Sequence, residues 1–328
     1  MTETVLRVED LKTHFVTRSG VVKAVDGVSF SVDQGETLGI VGESGSGKSI
    51  TALSILRMVP APAGQIVGGK LLLRGEDLLR KTEKEMRAIR GSRISMILQD
   101  PMTSLDPLFT IGDQVAEPIR THRKVSGPSA LARATEMLRL VRIPSPEARI
   151  DSYPHQMSGG MRQRIVAAMA LACEPELLIA DEPTTSLDVT IQAQLIALLK
   201  EIQQTLGLAM IVITHDFAVV SRICHRVAVM YAGRIVETAD VKTLFGAPAH
   251  PYTVALLQSL PRFGAGLDRL HTIGGQPPDL RRLPAGCSFA PRCSRAMDVC
   301  RTEFPPQRDL GDGHTVCCHF AVAGETAR

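Results

Sequence analysis

The sequence contains no tryptophan, and aromatic residues make up only 4% of its 328 positions. A surface for stacking nucleobases is therefore not evident. The 37 basic and 34 acidic residues nearly balance, so overall charge does not indicate nucleic acid or anionic lipid as a partner. No run of about 18 apolar residues occurs, and the opening Met1–Thr4 does not begin a secretory signal, so we expect neither a membrane-spanning helix nor export.

Short apolar runs alternate with helical patterns along the first three quarters of the chain. Strands are predicted at Glu36–Val41, Ser92–Leu98, Leu177–Ala180 and Leu208–Thr214, and helices at Ser49–Val59, Gly159–Ala172 and Ile191–Leu206. Together they predict an α/β fold with a β-rich N-terminal part and a helical insert between residues 111 and 149. Prolines multiply after Phe245, which predicts a domain boundary there. We expect domains at residues 1–245 and 246–328, the second largely loop with one helix at Tyr252–Ser259.

A glycine-rich loop connects the predicted strand Glu36–Val41 to the helix that follows it. Its residues match the phosphate-loop pattern G-x-x-x-x-G-K-[ST]: Gly42, Glu43, Ser44, Gly45, Ser46, Gly47, Lys48 and Ser49. Small residues let the backbone N–H groups point at a phosphate, and the helix dipole adds to the attraction. We expect Lys48 to neutralise β- and γ-phosphate charge and the Ser49 hydroxyl to ligate Mg²⁺. A glycine-rich turn that binds nothing is the alternative.

The strand Leu177–Ala180 runs into Asp181 and Glu182, a pattern known as Walker B. A carboxylate at this place holds Mg²⁺, usually through water, which is the expected role of Asp181. Glu182 is then placed to orient the water that attacks the γ-phosphate. Taken alone, an Asp-Glu-Pro sequence is more often a plain turn.

In combination with these motifs, the chain resembles the ABC ATPase family from about Leu6 to Phe245. Ser158, Gly159 and Gly160 are similar to the family's signature motif, although Met157 and Met161 depart from its commonest form. The resemblance implies that this motif closes over the ATP of a partner subunit, and therefore a dimer. It also implies a RecA-like P-loop core with an N-terminal antiparallel β-subdomain and a helical subdomain.

The same resemblance assigns roles to further residues. Gln99 is similar to the glutamine that reaches Mg²⁺ and senses the γ-phosphate, and His215 to the switch histidine that contacts the γ-phosphate. Asp188, in Ser186-Leu187-Asp188, matches the loop that crosses the dimer interface. Phe15 resembles the aromatic residue that stacks on adenine, and a core phenylalanine is the alternative. ATP and Mg²⁺ are the implied cofactors.

Residues 99–105, 158–164 and 181–190 resemble the ATP-binding subunits of the oligopeptide/dipeptide/nickel importer family. His250-Pro251-Tyr252-Thr253 matches the motif that opens that family's C-terminal extension. The resemblance implies import of di- or oligopeptides, although relatives also carry nickel or oligosaccharides. It implies two transmembrane permease subunits, a second ATP-binding subunit (a paralogue by family habit) and, indirectly, an extracytoplasmic substrate-binding protein. The location implied is the cytoplasmic face of the inner membrane.

Five of the seven cysteines lie in the C-terminal region, where such clusters bind metals more often than they form disulfides in a cytosolic protein. The importer resemblance implies a [4Fe–4S] cluster on Cys287, Cys293, Cys300 and Cys318. Zinc and plain reduced thiols remain the alternatives. Cys173 and Cys224 are expected in the core.

Two other functions fit parts of the sequence. One is a soluble ABC ATPase that acts on nucleic acid or ribosomes, although the chain has neither a second cassette nor a heptad insert. The other is a metal or redox sensor built on the C-terminal cysteines, against which the intact Glu182 and His215 argue.

Overall fold

A computed structural model describes residues 3–100, 104–185, 187–260 and 272–321. Pro101, Met102 and Thr103 of the segment after Gln99, and Ser186 before Asp188, lie outside the described residues. The chain divides into two compact units. Unit 1 comprises Met1–Arg7, Ser31–Thr37 and Leu72–Ile213, and unit 2 comprises Val8–Phe30, Leu38–Leu71 and Thr214–Arg328.

Strands and helices alternate as follows. The strands are β1 (Thr4–Thr17), β2 (Gly20–Asp33), β3 (Thr37–Val41), β4 (Gly64–Leu73), β5 (Glu76–Asp77), β6 (Ile94–Ile97), β7 (Leu177–Asp181), β8 (Ala209–Ile213), β9 (Arg226–Tyr231), β10 (Arg234–Asp240), β11 (Gln307–Asp309) and β12 (Thr315–Cys317). The helices are α1 (Lys48–Ile55), α2 (Glu83–Ile89), α3 (Ile111–Arg123), α4 (Gly127–Leu140), α5 (Pro146–Arg149), α6 (Gly159–Leu171), α7 (Val189–Leu206), α8 (Phe217–Ile223), α9 (Val241–Gly246), α10 (Pro251–Gln258) and α11 (Asp298–Thr302).

Unit 1 contains parallel strands and the helical insert. β6 pairs with β7 and β7 with β8, both in parallel register. Every residue of β7 and β8 is buried, because helices cover both faces of such sheets and the strands become continuous apolar runs. Helices α3, α4 and α6 pack against one another. The insert predicted between residues 111 and 149 is therefore helical.

Unit 2 contains the strand that leads into the glycine-rich loop. β3 pairs in parallel with β9, and β9 pairs antiparallel with β10. A cluster of buried side chains covers this part of the sheet, and it includes Val41, Val229, Tyr231, Tyr252 and Phe289. The last two of these side chains come from beyond residue 245. The C-terminal region thus contributes to the core of unit 2.

The C-terminal region also extends the sheet, which the sequence analysis did not predict. β12 pairs antiparallel with β10, with Glu237 opposite Val316, and β11 pairs with β12. Glu237 is 1% exposed and accepts hydrogen bonds from the backbone N–H groups of Ala249 and His250. His314 contacts the same carboxylate at 2.8 Å. The described part of the region is largely loop with a helix near the predicted place, as expected, but α11, β11 and β12 were not predicted, because such short elements carry too little hydrophobic pattern to detect.

The α/β prediction is confirmed, and the main boundary differences have local causes. Helix α1 ends at Ile55 rather than Val59, since Arg57 takes a left-handed conformation with φ +52°. β1 and β2 are 14-residue strands, although only short apolar runs mark the β-rich N-terminal part in the sequence. Helix α10 lies at Pro251–Gln258, one residue from its predicted place.

Candidate functional site

The glycine-rich loop packs closely against the backbone of neighbouring strands. Gly47 precedes α1 with φ +104°, and a Cβ there would lie 2.3 Å from the Ala24 carbonyl oxygen. At Gly42 a Cβ would lie 2.2 Å from the Met230 carbonyl oxygen. Larger residues cannot occupy either position without moving the backbone. The tight loop, strand before it and helix after it are the arrangement that phosphate binding requires.

Two polar side chains of the loop, Lys48 and Ser46, are buried. Lys48 is 6% exposed, and its ammonium donates to the carbonyl oxygens of Gly42 at 2.8 Å and Glu43 at 3.0 Å. Ser46 is 4% exposed, and its Oγ has no hydrogen-bond partner in the described part of the chain. A buried hydroxyl without a partner is costly, and a bound anion would satisfy it. Ser44, Gly45 and Ser49 are exposed, so the mouth of the loop is open.

Two further predicted residues belong to unit 2. The N–H of Thr214 donates to the Ile40 carbonyl oxygen at 3.2 Å, so the exposed His215 follows beside the strand that enters the loop. Phe15 is half-buried, and its ring edge lies against Gly64, where a Cβ would approach Cε1 to 2.8 Å. This packing is compatible with both interpretations of Phe15, as a core phenylalanine and as the aromatic residue that stacks on adenine.

Glu182 of unit 1 is held in a strained conformation by several hydrogen bonds. It follows Asp181, the 6% exposed last residue of β7, and its φ is +45°. Its N–H donates to the Ile213 carbonyl oxygen at 2.8 Å. One carboxylate oxygen accepts from Gln99 Nε2 and from Thr185 Oγ1, both at 2.9 Å. Left-handed backbone at a non-glycine residue costs about 1–3 kcal/mol and concentrates at functional sites.

The structure therefore brings together two of the predicted catalytic residues, Gln99 and Glu182. It adds Thr185, which the sequence analysis did not single out. Thr185 stands three residues after Glu182, and a threonine in a turn gives no sequence signal of its own. Gln163 of α6 donates to the Pro183 carbonyl oxygen at 2.7 Å. This hydrogen bond links the turn that contains Glu182 and Thr185 to α6, the helix that begins at the predicted signature motif.

Helix α6 begins at the predicted signature motif. Ser158 is its N-cap, with Oγ accepting from the Met161 N–H at 3.3 Å, and Ser158 and Gly159 are exposed. Gly160 lies against Ile191, whose Cγ2 would be 2.6 Å from an added Cβ. Asp188 caps α7 by accepting from the N–H groups of Thr190 and Ile191. An open helix N-terminus thus stands beside the start of a second helix on the surface of unit 1.

The four C-terminal cysteines of the metal prediction lie around one small cavity in unit 2. Cys287, Cys293, Cys300 and Cys318 line a cavity of about 20 Å³ together with His250 and Phe289. Burial raises the pKa of Cys287 to about 11 and also raises the pKa values of Cys293 and Cys318. Across the described residues, no three His, Cys, Asp or Glu side chains are placed to hold a metal ion. The cavity has about the volume of one water molecule. The four thiols, as they are placed, therefore leave no room for an iron–sulfur cluster.

The two cysteines predicted in the core differ in burial. Cys173 is 1% exposed, and burial raises the pKa of its thiol. Burial also raises the pKa of Cys224 to about 12, and its Sγ lies 2.9 Å from where a Cβ on Gly39 would be. Cys173 is thus a core residue, and Cys224 is half-buried and packs against the core cluster of unit 2.

Comparison with known proteins decides the family. Sequence models match residues 25–185 as ABC transporter and residues 236–300 as the oligopeptide/dipeptide transporter C-terminal region. The probable peptide ABC transporter ATP-binding protein y4tR of Sinorhizobium fredii is 55% identical over 314 residues, 95% of this chain and 94% of that protein. The chain belongs to the ABC transporter family. This ABC subunit is also 52% identical to the dipeptide transport ATP-binding protein DppD of Bacillus subtilis, over 96% of its own length and 94% of that protein.

Solved structures agree with this family. An ATP-binding cassette solved as a dimer in a post-hydrolysis state, with ADP and phosphate bound, superposes with a TM-score of 0.64 at 26% identity. The match covers 72% of this chain and 98% of that one. The cassette cbiO1 of Clostridium perfringens, part of the cbiONQ transporter complex, superposes with a TM-score of 0.63 at 27% identity. This match covers 74% of this chain and 91% of cbiO1. The predicted RecA-like P-loop fold is confirmed, and the ABC subunit is an ATP-binding ATPase of a transporter.

Of the helices that the structure describes, none combines the length and apolar character needed to cross a membrane.

Two residues that contact the glycine-rich loop, Tyr252 and Arg292, were not predicted from the sequence. Tyr252 accepts a hydrogen bond from the Glu43 N–H, and Arg292 pairs with the Glu43 carboxylate. Tyr252 belonged to a recognised motif without an assigned role, and Arg292 carried no signal, since it lies 249 residues from Glu43.

Proposed function

We propose that this ABC subunit hydrolyses ATP to drive the import of di- or oligopeptides. The observation that carries the peptide assignment is the match of residues 236–300 to the oligopeptide/dipeptide transporter C-terminal region. Relatives named as peptide and dipeptide transport proteins match over nearly the whole chain, which supports the same assignment. The alternative, a soluble ABC ATPase acting on nucleic acid or ribosomes, finds no support in these relatives.

The proposed catalytic roles follow the motifs. Gly42–Gly47 surround the phosphates of ATP, Lys48 neutralises phosphate charge, and Phe15 stacks on adenine. Ser49, Asp181 and Gln99 hold Mg²⁺, which stabilises the negative charge that develops on the transferring phosphoryl group. Glu182 orients the attacking water and accepts its proton, and His215 contacts the γ-phosphate. The strained backbone at Glu182, together with the hydrogen bonds from Gln99 and Thr185 to its carboxylate, supports this role.

We also propose that the working unit is a dimer of ATP-binding subunits. Ser158, Gly159 and Gly160 of one subunit cap the ATP that the glycine-rich loop of a second subunit holds, and Asp188 lies at the dimer interface. The exposed N-terminus of α6 supports this role, because the N–H groups and the dipole at a helix N-terminus attract anions. Val189, next to Asp188, is 80% exposed, as an interface residue would be in a separated subunit.

Two transmembrane permease subunits are the proposed docking partners, with an extracytoplasmic binding protein delivering the peptide. Leu98, Leu108 and Phe109 are 45%, 80% and 56% exposed, and all three lie close in sequence to Gln99. Large apolar side chains exposed together mark contacts with other chains. Docking there places the ATPase at the cytoplasmic face of the inner membrane and links the neighbourhood of Gln99 to the permeases.

We propose that the four cysteines around the small cavity of unit 2 bind an iron–sulfur cluster. Its support is that all four thiols converge on one cavity. Cys287, Cys293, Cys300 and Cys318 would hold the [4Fe–4S] cluster as thiolates, and these four side chains would have to move apart to admit it. Protein purified without oxygen should be brown with broad visible absorption. Colourless protein that contains zinc, or no metal, would contradict the cluster.

The experiment that tests the function is reconstitution of the subunit with its permeases in lipid vesicles. ATP hydrolysis should rise when a peptide-loaded binding protein is present, and labelled peptide should accumulate inside. Lys48→Ala should weaken ATP binding at least about tenfold and stop both activities, because the phosphate charge loses its buried cation. Peptide-independent hydrolysis in the complete assembly would contradict peptide import.

A further inference from the structure

Glu43, the second residue of the glycine-rich loop, is held at two places by the C-terminal region of unit 2. Its backbone N–H donates to the Tyr252 hydroxyl oxygen at 2.9 Å. Its carboxylate accepts two hydrogen bonds from the Arg292 guanidinium, 2.7 Å from Nη1 and 3.0 Å from Nη2. Two parallel N–H···O bonds are the strongest form of Arg–carboxylate pairing. The loop is therefore clamped to a region far away in sequence.

Arg292 is built into its position. Its side chain is 4% exposed, and its guanidinium carbon lies 5.8 Å from the centre of the Tyr231 ring and 5.9 Å from that of Phe289. Nε donates to the Gly274 carbonyl oxygen at 3.0 Å. The hydrogen bond with Glu43 raises the pKa of Arg292 further above its ordinary value. A buried cation needs a paired anion, and Glu43 is the carboxylate bound to it.

The charge of Glu43 explains why this pairing matters for ATP. A carboxylate in a loop that surrounds a triphosphate repels the ligand, and the repulsion is strong because the site is partly buried. The Glu43 side chain is 27% exposed. Pairing with Arg292 cancels this negative charge and draws the carboxylate to the C-terminal side. The Tyr252 hydroxyl fixes the backbone at the same residue.

We propose that Arg292 and Tyr252 are positioning residues that set the ATP affinity of the loop through Glu43. The proposal rests on the proposed role of Gly42–Ser49 in binding ATP. It gives the C-terminal region a function in the nucleotide site. A purely structural role, in which the pair only attaches the C-terminal region to the core, is the competing explanation.

A charge-rescue experiment separates the two explanations. The dissociation constant of Mg–ATP is measured with a fluorescent ATP analogue on the purified full-length chain. Arg292→Met keeps the apolar contacts of the side chain and removes the cation, and the dissociation constant should rise about tenfold because Glu43 then faces the phosphates unpaired. The double variant Glu43→Gln with Arg292→Met should return to within about twofold of the unaltered chain, since the repelling charge is gone.

The controls make each outcome decisive. Arg281→Met removes an arginine of the same region that pairs with Asp279 on the surface, and it should leave the affinity unchanged. Equal weakening in Arg292→Met and in the double variant, or no weakening in Arg292→Met, would overturn the proposal. Lys48→Ala is measured alongside. If it leaves the affinity unchanged, the loop does not bind ATP and the proposed function itself fails.

Tyr252→Phe tests the clamp even if Arg292→Met does not fold. This substitution keeps the ring contacts with Tyr231 and Phe289 and removes only the acceptor for the Glu43 N–H. The dissociation constant should rise about threefold, as expected for the loss of one hydrogen bond, while the melting temperature changes little. An unchanged dissociation constant would remove Tyr252 from the proposal.

Discussion

Glu182 combines a left-handed backbone with a carboxylate fixed by Gln99 and Thr185. Such a residue is costly to hold in place, so its position has to be supported from several sides. The hydrogen bonds set the direction of the carboxylate before any substrate binds. A water positioned in line with the γ-phosphate needs this kind of preorganisation more than a strong base.

Glu182→Gln should therefore retain ATP binding and lose turnover. The amide keeps the size of the side chain and can still contact Thr185, but it cannot accept a proton. We expect phosphate release to fall by about a hundredfold or more, with an unchanged dissociation constant for ATP. Hydrolysis at the level of the unaltered chain would remove Glu182 from its proposed role.

Thr185→Val tests the support of Glu182 rather than Glu182 itself. Valine has nearly the shape of threonine and lacks the hydroxyl that donates to the carboxylate at 2.9 Å. The turnover rate should fall about tenfold while KM for ATP stays the same, because only the orientation of Glu182 changes. Thr185→Ser keeps the hydroxyl and is the matched control. A loss in KM rather than in kcat would contradict the positioning role.

At the scale of elements, Glu176 joins three segments of unit 1 just before β7. Its carboxylate accepts from Nε of Arg74 at 2.6 Å and from Arg93, while Arg93 also pairs with Glu76 at 2.9 Å. Burial alone would raise the pKa of Glu176. The hydrogen bonds from Arg93 and Arg74 outweigh burial, so the pKa lies below its ordinary value of 4.5.

This pairing predicts a pH-dependent contribution to stability. A carboxyl group whose pKa is lower in the folded state stabilises that state above pH 4.5 and loses the contribution as the pH falls through the lowered value. Glu176→Gln should lower the free energy of unfolding by roughly 1–2 kcal/mol at pH 7. This value lies between the contributions typical of exposed and of buried ion pairs.

Urea unfolding at pH 7 and at about pH 3 is the measurement, and the difference between Glu176→Gln and the unaltered chain should shrink at the lower pH. Glu147→Gln, which removes an exposed pair with Arg139, is the control and should have no measurable effect at either pH. A difference that grows on acidification would show that Glu176 does not act through its charge.

The elements that the sequence predicts well share one property. β3, β7 and β8 are buried on both faces, so their apolar runs are uninterrupted, and each one ends next to a motif. β11 and β12 carry no comparable pattern, because their place is set by pairing, of β12 with β10 and of β11 with β12, and not by their own side chains. The contact of Arg292 with Glu43 cannot be predicted from the sequence either, because an ion pair between residues far apart in the chain produces no periodic pattern. The motifs in the sequence therefore locate the site. The tertiary contacts that determine the charge balance of the site can be seen only in the structure.

For the whole molecule, the C-terminal region completes the sheet of unit 2. Removing it would leave β10 paired with β9 alone, so that the edge of β10 that faces β12 would be open, and would deprive the buried Glu237 of its contacts with Ala249, His250 and His314. An open edge strand pairs readily with other chains. A chain that ends at residue 245 should therefore form aggregates that light scattering detects, whereas the full chain stays dispersed. A dispersed truncated chain with an unchanged melting temperature would contradict this expectation.

The late position of β12 also has a consequence during protein synthesis. β10 ends at Asp240, and its neighbour β12 begins only at Thr315, about 75 residues later. At ribosomal rates of about 5–20 residues per second, the edge of β10 waits on the order of 4–15 s for its partner. Nascent chains therefore expose an incomplete sheet for seconds, and chaperones that hold unfinished polypeptides would have their clearest substrate in this interval.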